Sequence, residues 1–146
     1  MDEPLRYAGF WMRVLANLID SVIVTLLIVA IIAALYGTSE LESATSDLEG
    51  TLGAVVQIVL AVLIVVFWRY GGGTPGKMLL SQRIVDARTG KQPSTRQLVG
   101  RFFAYIVSAV PLGIGFLWVA FDPRKQGWHD KLAGTAVIAD RKKAKA

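Results

Sequence analysis

The sequence predicts an all-α membrane protein: a small bundle of two spanning helices plus a third apolar segment that proline and glycine interrupt. The chain has 146 residues, of which 53% are hydrophobic and 18% charged, and its mean hydropathy is +0.48. Soluble domains carry about 25% charged residues. The apolar residues are concentrated in three long blocks. One domain of this length is therefore expected, and a disordered tail, a coiled coil and an ordinary soluble enzyme are excluded.

The first block, residues 9–35, is predicted to span the membrane. No charged residue occurs from Ser21 to Leu35. A helix of roughly 20 residues crosses a hydrocarbon layer of about 30 Å, and residues 14–35 provide that length. The acidic leader, residues 1–3, and the length of the block are not typical of a cleaved signal peptide.

The second block, residues 51–68, is predicted as a second, shorter span. Gln57 is the one polar residue between Leu52 and Trp68. Trp68 and Tyr70 stand at its end, where amphipathic rings favour the headgroup level. We therefore expect both rings to act as interface anchors.

The third block, residues 98–121, is predicted to be broken. Arg101 lies near its start, and a Pro-Leu-Gly-Ile-Gly sequence, residues 111–115, lies at its middle. Proline removes a backbone donor and glycine loosens a helix, so the block forms either a re-entrant hairpin or a kinked span.

The charges predict the orientation. Residues 69–97 hold six bases against one acid, and residues 36–50 hold four acids (Glu40, Glu42, Asp47, Glu49) and no base. The positive-inside rule places residues 69–97 and the N-terminus in the cytosol of a bacterial inner membrane, with an external acidic loop at 36–50. The C-terminal segment, residues 122–146, holds seven bases against three acids. Three full crossings would place it outside, so its charge favours the re-entrant hairpin.

The cytosolic connection, residues 69–97, is predicted to contain a short interfacial helix and a strand. Thr74 suits an N-cap and Pro75 the first helical position, which begins a helix to about Ser81. Residues 82–87 favour a strand, and residues 135–139 are a second β-prone run. The two runs are expected to pair as a two-stranded ribbon.

Several kinds of site are excluded or disfavoured. The chain has no cysteine and one histidine, which excludes a disulfide framework, a thiol nucleophile and a multi-histidine metal site. Residues 71–77 match G-x-x-x-x-G-K, but Met78 replaces the required Ser or Thr and a membrane helix precedes the loop. His129 and Asp130 have no evident nucleophile nearby. We predict no catalytic, cofactor or metal site, and no enzymatic activity.

Arg13, Asn17 and Asp20 form a polar stripe at i, i+4 and i+7 on the first predicted helix. A carboxylate at Asp20 lies within the hydrocarbon region and costs several kcal/mol unless it is paired, hydrated or protonated. The stripe either holds helices together or binds a cation or proton, with Arg13 setting the charge state of Asp20. Arg101 is either an inner-leaflet base or a partner of Asp20 or Asp122.

The chain resembles the RDD family of bacterial membrane proteins in a series of short motifs that follow the family's order. They are residues 7–13 (YAGFWMR), 18–20 (LID), 74–77 (TPGK), 83–86 (RIVD), 121–122 (FD) and 129–135 (HDKLAGT). By position, Arg13 and Asp20 resemble the first two residues of the family name, and Asp130, with Asp122 as the alternative, resembles the third. The resemblance implies a small integral membrane protein. Transport of an unidentified ligand has been proposed for the family, and cation or proton exchange for some members.

Two functions are therefore expected to compete. The first is transport through an intramembrane site, by a homo-oligomer because three apolar segments are few to enclose a pathway. The second is a scaffold that docks a protein partner through its basic cytosolic face. The basic C-terminus, residues 141–145, is expected to contact anionic lipids and not nucleic acid. The candidate site residues are Arg13, Asn17, Asp20, Arg101, Asp122 and Asp130.

Overall fold

The fold is given by a computed structural model, which describes residues 5–37, 43 and 50–139. The acidic leader, the four acids predicted to form the external loop, and the basic cluster at residues 141–145 lie outside the described residues.

Two long apolar helices dominate the structure, as the sequence predicts. Helix α1 is Phe10–Tyr36. Helix α2 is Thr51–Val66 and continues through a π-helical turn, Phe67–Gly71. The stretches Phe10–Tyr36 and Gly53–Leu79 are each long and apolar enough to cross a membrane. Most of their side chains are exposed on the protein surface, which is the arrangement expected for helices that face lipid.

Three parts of the chain that are distant in sequence pair in a small antiparallel sheet. Helix α3, Pro75–Leu79, follows α2 with Thr74 at the N-cap position. Strand β1, Gln82–Asp86, then pairs with strand β2, Thr135–Ala139. Tyr7, just before α1, bridges to the outer side of β2 at Ile138. The predicted short helix and the two-stranded ribbon are both confirmed.

The third apolar segment is broken, as predicted. Helix α4, Thr95–Ala109, begins with a capping box between Ser94 and Gln97. Helix α5, Ile114–Leu117, runs into a 3₁₀ turn, and the two halves of the segment are bent by 111°. Gly113 lies at the break with φ +77°, a conformation that favours glycine. Because β1 precedes the segment and β2 follows it after one more short helix, the chain leaves the sheet before the segment and returns to the same sheet after it.

The core lies where the sheet meets the ends of the long helices. Helix α6, Trp128–Ala133, packs against α4 and leads into β2. The buried apolar cluster contains Ala8, Trp68, Ile84, Leu98 and Val137. The prediction that Trp68 anchors the membrane interface is wrong, because its ring is 2% exposed and belongs to this core. Tyr70, by contrast, is 83% exposed.

Candidate functional site

A buried carboxylate on α6 connects three distant segments. Asp130 Oδ2 accepts hydrogen bonds from Arg13 Nη1 of α1 at 2.6 Å and from the backbone N–H of Gly127 at 3.0 Å. Asp130 Oδ1 accepts from Arg101 Nη1 of α4, which also donates to Thr135 Oγ1 at 2.7 Å. Asp130 and Arg101 are fully buried. Buried charges require such pairing, so this cluster fixes how α1, α4 and α6 meet.

Asp130 is ionised in this cluster. Burial by itself would raise the pKa of the Asp130 carboxyl, but Arg101 and Arg13 hold that pKa well below its ordinary value. One negative charge therefore faces two guanidinium groups, and the cluster keeps an excess of positive charge.

Aromatic rings enclose the guanidinium of Arg101. Its Cζ lies 5.4 Å from the ring centre of Trp68 and 5.6 Å from that of Tyr105, distances typical of cation–π contacts. Tyr105 also stacks on His129, with 4.4 Å between ring centres. Ser108 Oγ contacts His129 Nδ1 at 3.3 Å and accepts from its backbone N–H at 3.0 Å. Burial lowers the pKa of His129 to about 3, so its imidazole is neutral near pH 7.

Asp20 joins α1 to α3 without a charged hydrogen-bond partner. Its Oδ2 accepts from the Thr74 hydroxyl at 2.5 Å, and its Oδ1 accepts from the backbone N–H of Gly76 at 2.7 Å. Asp20 thus caps the first turn of α3 from another helix. A Cβ on Gly76 would lie 2.1 Å from the backbone oxygen of Ala16, so only glycine allows this approach. The Gly76 N–H is already occupied, which is consistent with excluding a nucleotide loop at residues 71–77.

Lys77 brings a third cation to the same region. Its Nζ donates to Asn17 Oδ1 at 2.9 Å, although Lys77 is almost fully buried. Between α1, α3 and the bent third segment lies a cavity of about 80 Å³. The residues that line it are Phe10, Arg13, Val14, Asn17, Lys77, Arg101, Tyr105, Phe116, Val119 and His129.

The structure brings together only some of the predicted site residues. Arg13, Arg101 and Asp130 form one cluster, and Asn17 lines the same cavity as the two arginines. Asp122 lies elsewhere, in an ion pair with Lys131 at 2.6 Å.

Two expected pairings are wrong. Arg13 does not pair with Asp20, because seven residues of helix separate the two by about 10 Å along the axis. Arg101 faces Asp130 and neither Asp20 nor Asp122, because α6 returns against α4 and inserts Asp130 between the two arginines.

Sequence reasoning missed Lys77, Tyr105 and His129 as cavity residues. Lys77 is one of the six bases of residues 69–97, and Tyr105 stands within the third apolar block, so neither has a pattern that indicates a cavity. The one available signal was the TPGK motif, residues 74–77, in which three residues contact the polar stripe of α1.

The sequence is similar to those of known bacterial proteins. The sequence model of the RDD family matches residues 7–134. The chain is 32% identical to the uncharacterized protein YxaI of Bacillus subtilis, over 94% of this chain and 99% of that protein. It is 28% identical to the uncharacterized membrane protein YteJ of Bacillus subtilis, over 92% of this chain and 82% of that protein.

A further relative covers only part of the chain. The uncharacterized protein RP437 of Rickettsia prowazekii is 44% identical over 81 residues, which are 56% of this chain and 44% of that protein. No solved structure matches the chain significantly. The match of the family model over residues 7–134, together with the two spanning helices, shows that this chain is a membrane protein of the RDD family.

Proposed function

We propose that this membrane protein has a transport-related function, in which a polar ligand or ion occupies the cavity between α1 and the bent third segment. The observation that carries the proposal is that cavity, because three cations line it beside apolar spans. Ionisable groups in membrane segments are costly, and they commonly mark ligand or ion pathways. Broken apolar segments are also where transporters place their binding sites.

We also propose the membrane topology. Tyr7, β1 and β2 belong to one sheet, so the parts of the chain before α1, after α2 and after the third segment lie together. The six bases of residues 69–97 favour the cytosolic side of an inner membrane for this sheet. This arrangement supports a re-entrant third segment, residues 98–121, with the N-terminus and the C-terminal segment both cytosolic. The basic C-terminus would then contact anionic lipids.

A homo-oligomer fits the exposed surfaces of the spans. In α1 only Arg13, Ala16 and Ile32 are buried among the described residues. Two spans and a re-entrant segment are few to surround a pathway across the full bilayer. Helices from further copies of the chain would supply the missing walls.

The proposal is tested by flux through proteoliposomes. Asp20 is the one acidic residue of α1, so we assign it to any coupled proton. Vesicles that contain purified protein and a trapped pH dye should acidify or alkalinise when a phosphate or chloride gradient is imposed. Asp20→Asn should abolish this signal and leave the protein level unchanged, because the asparagine Oδ1 still accepts from Gly76 or Thr74.

Asp122→Asn is the matched control, since it removes a carboxylate whose partners, Lys131 and the backbone N–H groups of Arg124 and Gln126, belong to the C-terminal segment and not to α1 or α3. Unaltered proton flux in Asp20→Asn would show that Asp20 carries no coupling ion. Absence of any protein-dependent flux with Na⁺, K⁺, chloride or phosphate as probes would overturn the transport proposal itself.

The alternative function is a scaffold that docks a protein partner. Arg88, Lys91 and Arg96 are exposed near the turn after β1, which favours a basic docking face. Deleting residues 82–97 would remove buried Ile84 and Val85, so charge reversal of the three exposed bases is the better test. A protein that co-purifies with the wild type but not with the charge-reversal variant would assign docking to this face, provided that the ion flux of the variant equals that of the wild type.

We do not propose catalysis. Both oxygens of Asp130 are occupied by arginines, and Ser108 Oγ accepts from the backbone N–H of His129. Neither residue is placed to act on a substrate as an acid or a base.

A further inference from the structure

The charges around the cavity are strongly unequal. Arg13, Lys77 and Arg101 line it and are 7%, 4% and 0% exposed. Among the described residues that line the cavity, none is acidic. Asp130 binds the two arginines and compensates one of their charges. The oxygens of Asp20 are taken by the Thr74 hydroxyl and the backbone N–H of Gly76.

The three cations that line the cavity carry unused hydrogen-bond donors. Arg13 Nη2 is buried and has no hydrogen-bond partner within the described part of the chain, and the same is true of Arg101 Nε. Lys77 carries three ammonium hydrogens, of which one is donated to Asn17. A buried charged donor without an acceptor is unfavourable, so these groups favour an acceptor that bears negative charge.

We propose that the cavity binds the oxyanion of a phosphate group, either free inorganic phosphate or the phosphate of an anionic lipid. Arg13 Nη2 and Lys77 Nζ are the donors assigned to its oxygens. Arginine and lysine are the usual partners of phosphate, and their hydrogen bonds to an anion are stronger than neutral ones. The inference rests on the proposed function, because it names the ligand class of the same cavity.

The rest of the lining supports a small anion and disfavours a metal cation. Phe116, Val119 and the neutral ring of His129 present little competing polarity, so ion pairs formed inside the cavity are weakly screened. Three cations repel a bare Na⁺ or K⁺. A cavity of about 80 Å³ exceeds the space that one water needs, and it suits a tetrahedral oxyanion better than a large organic ligand.

Binding is measured directly on the purified full chain in an uncharged sugar detergent. The probe is inorganic phosphate, titrated by isothermal calorimetry in a chloride buffer. The wild-type chain should bind phosphate saturably. Lys77→Met should weaken binding by roughly tenfold or more, since it removes a charged donor. Lys91→Met is the matched control, because Lys91 is exposed on the turn after β1 and lies outside the cavity. The phosphate affinity of this variant should equal that of the wild type.

Asn17→Asp is a second variant for the same binding measurement, and it replaces Lys77→Met if that variant fails to fold. The introduced carboxylate pairs with Lys77, so the helix contact is preserved while the new negative charge repels an anion. Its phosphate affinity should fall by at least about tenfold at an unchanged melting temperature. Absence of phosphate binding by the wild-type chain in both detergent and bilayers, or wild-type affinity in Asn17→Asp, would overturn the proposal.

Two bilayers distinguish the sources of phosphate. In nanodiscs made of a phosphate-free galactolipid, free phosphate should bind as in detergent. In nanodiscs of phosphatidylglycerol, loss of that binding shows that the lipid phosphate occupies the cavity, and retained binding shows that the free ion does. Either result supports the oxyanion site. Binding without any flux would overturn transport alone, and flux without binding would overturn the oxyanion site alone.

Discussion

Asp130 and Asp20 both hold α1 to a later part of the chain, but they do so with different kinds of partner. Asp130 contacts α1 from α6, and Asp20 contacts α3 from α1. Asp130 binds two guanidinium groups in a fully buried cluster. Asp20 binds a hydroxyl and a backbone N–H at a half-buried contact. The first region depends on compensation between full charges. The second depends on how closely two backbones approach.

This difference predicts which changes each region tolerates. In the Asp130 region, volume matters less than charge, because removal of one ion leaves others buried and unpaired. In the Asp20 region, charge matters less than space, because the contact exists only while Gly76 lacks a Cβ. Three measurements separate the two regions.

The largest effect is expected from Asp130→Asn. It keeps the shape of the side chain but leaves the charges of Arg13 and Arg101 buried without a counterion, which costs about 3–5 kcal/mol in the free energy of unfolding. The measurement is equilibrium unfolding of the purified protein in mixed detergent micelles. Asp122→Asn is the control: its partner Lys131 is 44% exposed, so no cation is left buried without a counterion and the loss should be clearly smaller. Similar losses in the two variants would contradict a special role for the Asp130 cluster.

The second effect concerns the Asp20 region and is of intermediate size. Gly76→Ala places a methyl group against the backbone oxygen of Ala16 and separates α3 from α1, at a cost of about 1–3 kcal/mol. Lys77 is displaced with α3, so phosphate binding should weaken as well.

Gly100→Ala gives the comparison for that variant. Gly100 lies in α4 with open space around its Cβ direction, so alanine should be neutral or stabilise the helix by up to about 1 kcal/mol. If Gly76→Ala lowered the free energy of unfolding no more than Gly100→Ala does, the close approach of α3 to α1 would be refuted.

The sequence was sufficient for the local features of both regions. Long uncharged blocks predicted the two spans, Thr74-Pro75 predicted the start of α3, and two β-prone runs predicted the ribbon. Each of these follows from a property of neighbouring residues: hydropathy, a fixed φ, or β propensity. The break of the third segment was predictable for the same reason, since Pro111 and Gly113 occur within it.

The partners of the charged residues were not predictable in this way. Arg13 and Asp20 share a helical stripe, yet they bind groups 117 and about 55 residues away, respectively. Which acid reaches Arg13 depends on how α6 returns against α4, and helical periodicity carries no such information. Trp68 shows the same limit. Its position at the end of a span is typical of an interface anchor, but the sheet covers it and it belongs to the core.

The smallest effect, a dependence on pH, is expected from the Asp130 region only. His129 is the one histidine of the chain and stacks beside this cluster. Burial lowers its pKa from 6.5 to about 3 in the folded protein. Between these values the unfolded chain binds a proton that the folded chain does not, so stability is present above pH 6.5 and is lost as the pH falls toward 3. Asp130, whose pKa is also lowered, contributes its loss only below 3.8, its ordinary value.

From pH 7 to pH 5.5 the expected loss from His129 is therefore about 1 kcal/mol in the free energy of unfolding. His129→Phe keeps a ring against Tyr105 but cannot take up a proton, so its unfolding free energy should change less over this interval. Gly76→Ala disturbs the other region and should lower stability by the same amount at both pH values. If His129→Phe loses as much unfolding free energy as the wild type between these pH values, the titrating group lies elsewhere. If Gly76→Ala no longer loses unfolding free energy over this interval, the two regions unfold as one unit with a shared electrostatic network.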